Sequence, residues 1–266
     1  MEELTRQRLA DIFHRHARPV LYCSGGKDST TMLHLARPWA AQGTVLHVDQ
    51  GADGWPDVRE RLEANCAAWG YAPPMIVPSP ISLADYQAHV GHPVTIVPFA
   101  MDGVSPNPFR GDDPPVASWW HCSTVKVLLP LIEATLKLQA DAGISATKDS
   151  DAIGFTRMDA ATDATQTLGW VRYDPLKEWS TAAIWAYVDR EQIQLPAYYA
   201  HSRAHPEIDW PDCQGCTFNL PYLAWLKREM PELWATMAPS VLPVFHAIET
   251  KLEGHLIELH AFLEET

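Results

Sequence analysis

The chain has 266 residues, 47% hydrophobic and 20% charged, which supplies a substantial core and excludes a disordered or fibrous protein. Twenty Lys and Arg stand against 33 Asp and Glu, and the resulting charge of −13 repels polyphosphate backbones. It disfavours broad nucleic-acid binding but leaves room for a local basic contact. Five cysteines, two of them in one CxxC, fit a reducing compartment and metal or redox use better than a disulfide framework.

In chain order, MEELTRQRLADIFHRHARP carries charge throughout and has no apolar leader, and no later run reaches about 18 apolar residues. The expectation is a cytoplasmic protein with no membrane partner. Residues Glu2 to His16 place Leu4, Leu9, Ile12 and Phe13 near one helical face. PVLYC (19–23) has the form of a buried parallel strand. A glycine turn and a helix over Ser29–Ala41 follow, then strand TVLHVD (44–49). A helix opens on Pro56 and runs through Trp69, with Val58, Leu62 and Cys66 inward, and PMIVPS (74–79) is a third strand. Ile96–Phe99 is a further strand candidate, and residues 101–117 read as a Pro- and Gly-rich loop. A helix over 123–140 contains Pro130, which kinks or breaks it. GISAT (143–147) and WVRYDPL (170–176) are strands. A helix over 180–191 is capped by Ser180, with Ile184, Trp185 and Val188 inward. After Pro196 comes a polar loop with DCQGCT (212–217), then helices, the last over Val241–Leu263.

Alternating strands and helices predict an α/β fold: a doubly wound, mostly parallel, Rossmann-like sheet with a small helical C-terminal extension. The expected division is an N-terminal helix (1–17), a nucleotide-binding α/β domain (18–195), and a CxxC loop with helical extension (196–266).

The sharpest feature is SGGKDST (24–30), between a strand and a helix. Gly25 and Gly26 allow backbone conformations that converge N–H groups on an anion, and the following helix adds its positive end. Lys27 supplies charge and is expected to face solvent. Ser24, Ser29 and Thr30 supply hydroxyls, and Asp28 can hold Mg²⁺ or a water. An ordinary capped glycine turn is the bland alternative. The loop is not a Walker A motif, because GxxxxGK[ST] is absent.

SGGKDS resembles the pyrophosphatase loop of the adenine nucleotide α-hydrolase group, the PP-loop ATP pyrophosphatases. Four more segments resemble its phosphoadenosine phosphosulfate (PAPS) reductase-like family in order. They are HVDQGADGWPDVRERLEANCAAWG, WWHCSTVKVLLPL, YDPLKEWSTAAIWAYVDREQIQLPAYY and DCQGCT, and the likeness is greatest to members carried by phages and mobile elements. The resemblance implies that Ser24, Gly25, Gly26, Lys27, Asp28, Ser29 and Thr30 bind the phosphates of ATP, with Lys27, Asp28 and Ser29 catalytic. It also implies that Asp49 and Gly51 lie near the nucleotide. Gly143 matches the start of a G-x-R-x-x-[ED]-S motif, but the text is GISATKDS, so Ser145 stands where Arg is expected. Asp149 and Ser150 keep the acid and hydroxyl, and Lys148 and Arg157 are candidates for the missing charge.

Cys122, Cys213 and Cys216 fall where the resemblance places iron–sulfur ligands. They predict one metal centre, a [4Fe–4S] cluster with zinc as the alternative, against a reading as structural cysteines. His121 is a fourth-ligand candidate. Cys23 and Cys66 read as core residues, His201 and His205 as a solvated loop, and His246, His255 and His260 as surface residues without carboxylate partners.

The activity expected is cleavage of ATP at the α-phosphate with Mg²⁺, adenylating a second substrate for sulfur transfer from a sulfur donor protein. Homo-oligomerisation is compatible. Reduction of adenylyl sulfate or PAPS is the alternative, and its C-terminal nucleophilic cysteine is missing after Cys216, so no sulfite release is expected. A non-catalytic nucleotide sensor is the alternative of another class.

Overall fold

The computed structural model describes residues 1–94, 116–149, 168–206, 208, 210, 213–214 and 220–264. Ile96–Phe99, residues 101–115, Ser150, Arg157 and Cys216 lie outside them. In chain order the elements begin with α1 (Glu2–Arg15), β1 (Pro19–Tyr22), α2 (Lys27–Ala36), β2 (Thr44–Asp49), α3 (Val58–Ala68) and β3 (Met75–Pro78). Next come α4 (Leu83–His89), β4 (His92–Val94), β5 (Val116–Ser118), α5 (Trp119–Ser123), a π-helical stretch (Thr124–Leu128), α6 (Leu129–Lys137) and β6 (Ala142–Ile144). The chain continues with β7 (Val171–Tyr173), α7 (Thr181–Arg190), α8 (Tyr199–Ala204), α9 (Leu220–Glu229) and α10 (Pro231–Glu264).

Two compact units emerge. One comprises Met1–Pro80 and Val127–Ala204; the other comprises Ile81–Lys126 and His205–Thr266. The second unit thus gathers an internal segment as well as the C-terminal extension foreseen from sequence.

In the first unit the described strands form a five-stranded parallel sheet in the order β3–β2–β1–β6–β7. The chain winds outward from β1 through β2 to β3, then returns to the other side of β1 at β6. Period-two alternation sorts the side chains between the faces. Val20, Leu46, Met75 and Val77 pack with Ala134 and Leu131 of α6 on one face. Leu21, Val45 and Ile144 pack with α1, α2, α3 and α7 on the other. Both faces are covered, as a parallel sheet requires. Helix α2 is buried from Ser29 to Ala36, which matches its nearly all-apolar surface beyond the first turn.

The second unit holds a two-stranded parallel sheet of β4 and β5, packed with α4 and α5. Its three-residue strands have too few residues to show an alternation, so Val116 and Ala117 read as loop from sequence. Helices α9 and α10 pack on each other, with Trp225, Leu226, Val241 and Val244 buried.

Helix α2 ends at Ala36 rather than Ala41 and α3 opens at Val58 rather than Pro56, and two later helices differ more from expectation. The helix foreseen over 123–140 is divided: a π-helical stretch stops just before Pro130, which sits in the first turn of α6. Proline has no N–H to donate to Lys126 and crowds that carbonyl, and the wider turn absorbs the mismatch. The last helix starts at Pro231 rather than Val241, passing through Pro239 and Pro243. An interior proline costs about 3 kcal/mol, which is why a boundary was expected there. Packing against α9 offsets that cost. Among the described residues no helix is long and apolar enough to cross a membrane.

Candidate functional site

The loop after β1 lies at the carboxyl edge of the sheet, where β2 and β6 flank β1 on opposite sides. Such a switch point opens a crevice between the two crossover directions, where open α/β sheets take their ligands. Gly25 has φ +81°, and a Cβ there meets Val58 Cγ1 at 2.5 Å. Glycine is therefore required twice over, by backbone angle and by the close approach of α3. Gly26 is the N-cap of α2 and offers no side chain to the first turn. A Cβ on Gly26 would lie 3.1 Å from both the Ser24 and Tyr199 hydroxyls.

Hydrogen bonds within the loop set its shape. The Gly26 N–H donates to Ser24 Oγ at 3.2 Å, and the Ser29 hydroxyl donates to the Gly26 carbonyl at 3.1 Å. Ser24 and Ser29 share a hydroxyl contact of 3.2 Å. Thr30 is buried below the loop.

Asp28 bridges two lysines. Its Oδ2 accepts from Lys27 Nζ at 2.7 Å, and its Oδ1 lies 2.8 Å from Lys148 Nζ. The Lys148 side chain is 1% exposed, and the Asp28 carboxylate helps to offset the cost of burying its charge. Two lysines are thus gathered on one carboxylate beside the glycines. Two expectations change here. Lys27 is only 18% exposed and folds onto Asp28 rather than facing solvent. Lys148 serves Asp28 instead of supplying charge at Ser145.

The cation at Ser145 is Arg172, which the sequence reading missed. It stands on β7 opposite Gly143. Its guanidinium donates to Ser145 Oγ at 3.2 Å, to Thr147 Oγ1 at 2.9 Å and to Asp174 Oδ1 at 3.2 Å. The Ser145 hydroxyl also donates to Asp174. Gly143 makes room for Tyr22 of the neighbouring strand: a Cβ there would lie 2.5 Å from the Tyr22 hydroxyl. Burial pushes the Tyr22 phenol above its ordinary value. The signal that could have found Arg172 is register: an Arg in a short strand after the GISATKDS loop reaches the next strand's end when the two pair in parallel.

The remaining expected residues each have local partners. Asp49 ends β2 and caps the following turn, its Oδ1 accepting from Gly51 N–H at 2.8 Å and its Oδ2 lying 3.4 Å from Arg59. Gly51 carries φ +59° in that turn. Asp149 is an exposed partner of Lys177 at 3.8 Å. Cys23 and Cys66 are buried in the sheet core, and burial pushes both thiols up, Cys66 to about 12. The surface His246 does have a carboxylate partner, Glu249 at 3.5 Å, one helical turn on.

In the second unit Cys122 and Cys213 share one buried apolar cluster with Leu83, Tyr86 and Ala117. They are 7% and 8% exposed, despite the long stretch of chain between them. His121 Nδ1 is engaged by the Tyr86 hydroxyl at 2.6 Å. Among the described residues no group of three His, Cys, Asp or Glu could hold a metal ion. Two thiols fall short of the four ligands of a closed metal site.

A parallel doubly wound sheet with a glycine-rich loop at its switch point has the architecture on which α/β proteins carry ligands at the carboxyl ends of their strands. No family model matches the chain. Sulfate adenylyltransferase subunit 2 of Streptomyces lavendulae is 26% identical over 213 residues, 70% of this chain and 58% of that one. The protein of the same name from Mycobacterium tuberculosis (strain ATCC 25618 / H37Rv) is 28% identical over 222 residues, 73% of this chain and 62% of that one. The chain thus spans about three-fifths of the curated relatives it matches. Two solved structures are similar at 12% identity. Phosphoadenylyl-sulfate (PAPS) reductase from Candida auris has a TM-score of 0.49, covering 79% of this chain and 88% of its own. The U34-tRNA thiolase NcsA from Methanococcus maripaludis, solved with its [4Fe-4S] cluster, has a TM-score of 0.48, covering 94% and 79%. The sequence likeness is thus to sulfate adenylyltransferase subunit 2 proteins, at 26–28% identity over about 70% of this chain.

Proposed function

We propose that this chain is an adenylyl-transferring enzyme that binds ATP on the Ser24–Thr30 loop and cleaves it between the α- and β-phosphates. The observation that carries the reading is the loop itself: two glycines at the switch point, one held at positive φ against α3, with Lys27 and Lys148 gathered on Asp28 beside them. The β- and γ-phosphates rest on the loop amides and the start of α2. An oxygen of the second substrate bonds to the α-phosphorus, and the bond from that phosphorus to the bridging oxygen breaks. The electron pair leaves with pyrophosphate, whose growing charge the two lysines offset. Both Asp28 oxygens face lysines, so Mg²⁺ would be carried by the nucleotide phosphates and would offset charge on them.

The relatives' name makes sulfate the first acceptor to test and points to a partner subunit for this chain. Arg172, which donates to Ser145 and Thr147 just past β6, is assigned to the second substrate or the nucleotide. Incubation with ATP, Mg²⁺ and sulfate should yield pyrophosphate with adenylyl sulfate or AMP. Unchanged ATP that nonetheless binds tightly would favour the second reading, a nucleotide-sensing module.

Cys122, Cys213 and Cys216 are assigned to one thiolate-ligated centre in the second unit, [4Fe–4S] ahead of zinc. The shared burial of the first two supports this. Such a centre supplies redox or sulfur chemistry to the transfer.

A further inference from the structure

We propose that Tyr199 is a positioning residue of the phosphate cradle. Its hydroxyl holds the Lys27 amide and surrenders it only to an ionised phosphate oxygen, so it sets the loop's affinity for pyrophosphate. The inference rests on the reading that this loop takes phosphates.

The Lys27 N–H, the first of α2, donates to Tyr199 Oη at 2.7 Å, across 172 residues of sequence. The same hydroxyl lies where a Cβ on Gly26 would approach it to 3.1 Å, alongside Ser24 Oγ. Two hydroxyls therefore converge over Gly26 and each takes one loop amide, Ser24 from its own loop and Tyr199 from α8.

The ring is held in place independently of that bond. It lies edge-on to Trp185 at 5.6 Å and tilts onto Tyr198 at 4.3 Å, and Tyr198 stacks on Trp55 at 4.6 Å. The turn before α8 is tied to α3 by the Ala197 N–H, which donates to Asp57 Oδ2 at 2.7 Å. Arg203 lies over the Trp185 ring at 4.2 Å. This packing aims the hydroxyl at the amide without any help from the loop.

A neutral phenol oxygen is a weaker acceptor than an ionised phosphate oxygen, whose hydrogen bonds are about twice as strong. Phosphate therefore wins the Lys27 N–H, while water, also neutral, gains nothing by the exchange. The broken amide–phenol bond is a fixed deduction from phosphate affinity, and removing the hydroxyl restores it.

The test is Tyr199→Phe, which keeps the ring and its stacking. Calorimetric titration with inorganic pyrophosphate should show binding roughly three- to tenfold tighter than wild type, the range expected for one net hydrogen bond. Without pyrophosphate, the Lys27 amide should exchange with deuterium faster in the variant. A merely structural role predicts weaker binding. Equal or weaker binding by the variant, with a wild type that binds, overturns the proposal. If neither protein binds pyrophosphate or ATP, the phosphate reading of the loop itself is wrong and this inference falls with it.

Discussion

The glycine loop of the first unit and the cysteine cluster of the second are stabilised by opposite means. Around the loop almost every described polar group has a near partner: amides on hydroxyls, hydroxyls on a carbonyl, and two lysines on one carboxylate. Its geometry is specified by directional bonds, most of them within six residues of sequence. The pair Cys122 and Cys213 is instead enclosed by Leu83, Ala117 and the Tyr86 ring, assembled from segments far apart in the chain. A charged ligand exchanges bonds at the first site. At the second it must replace apolar contacts or bring its own bonds, as metal–thiolate ligation does. The proposed function accordingly assigns a reversible anion to the loop and a resident group to the cysteine cluster.

The largest effect expected is on turnover. Lys27→Ala should lower the ATP cleavage rate by about 10³-fold, the scale seen when one preorganised donor to a developing oxyanion is removed. Cleavage at the wild-type rate would take the loop out of the chemistry.

Asp28→Asn should cost about 3 kcal/mol of stability, because Lys148 is left buried without its carboxylate. The double change Asp28→Asn with Lys148→Met should recover much of that loss in urea unfolding. If the single variant unfolds like wild type, the pair contributes little and the contrast with the apolar cluster weakens.

Just behind the loop, on α2, burial and the nearby Arg37 hold the His34 imidazole down to about 4 from an ordinary 6.5. The unfolded chain takes up this proton first on acidification. The contribution is therefore complete above pH 6.5 and is lost as pH falls from 6.5 to 4, in all about 3 kcal/mol. Replacing His34 by Gln should flatten that part of the stability–pH curve. An unchanged slope would assign the acid sensitivity to other groups.

The smallest effect on folding is expected at the cysteines. Cys213→Ala and Cys122→Ala should each destabilise metal-free protein by about 1 kcal/mol, through lost packing. Anaerobically purified wild type should carry iron and acid-labile sulfide, and Cys213→Ala should lose both while Cys23→Ala keeps them. Colourless wild type with stoichiometric zinc would change the assigned metal, and retention of iron by Cys213→Ala would remove the cysteine from the centre.

The two regions also differ in how far the sequence alone defined them. SGGKDST sits where it was expected, because its glycines, its preceding strand and its following helix are contiguous, and contiguity is what a sequence displays. The sheet was legible for the same reason, from TVLHVD recovered at both ends to the Ser180 cap, which accepts from the Ala183 N–H at 3.1 Å. What stayed hidden depends on pairing at long range. Arg172 reaches Ser145 only through the register of β6 with β7, and Tyr199 reaches Lys27 only once α8 returns to the loop. The pairing of Lys148 with Asp28 was missed because a lysine in a polar stretch reads as exposed until the fold buries it. The strands β4 and β5 escaped because three residues are too few to reveal an alternation.

The most direct test of the central claim is which bond of ATP is cut. With ATP labelled at the γ-phosphate, Mg²⁺ and the intact chain, cleavage between α and β puts all the label into pyrophosphate, and that is the result expected. Label released as free phosphate, in reactions kept free of contaminating pyrophosphatase, would mean cleavage between β and γ and would contradict the account.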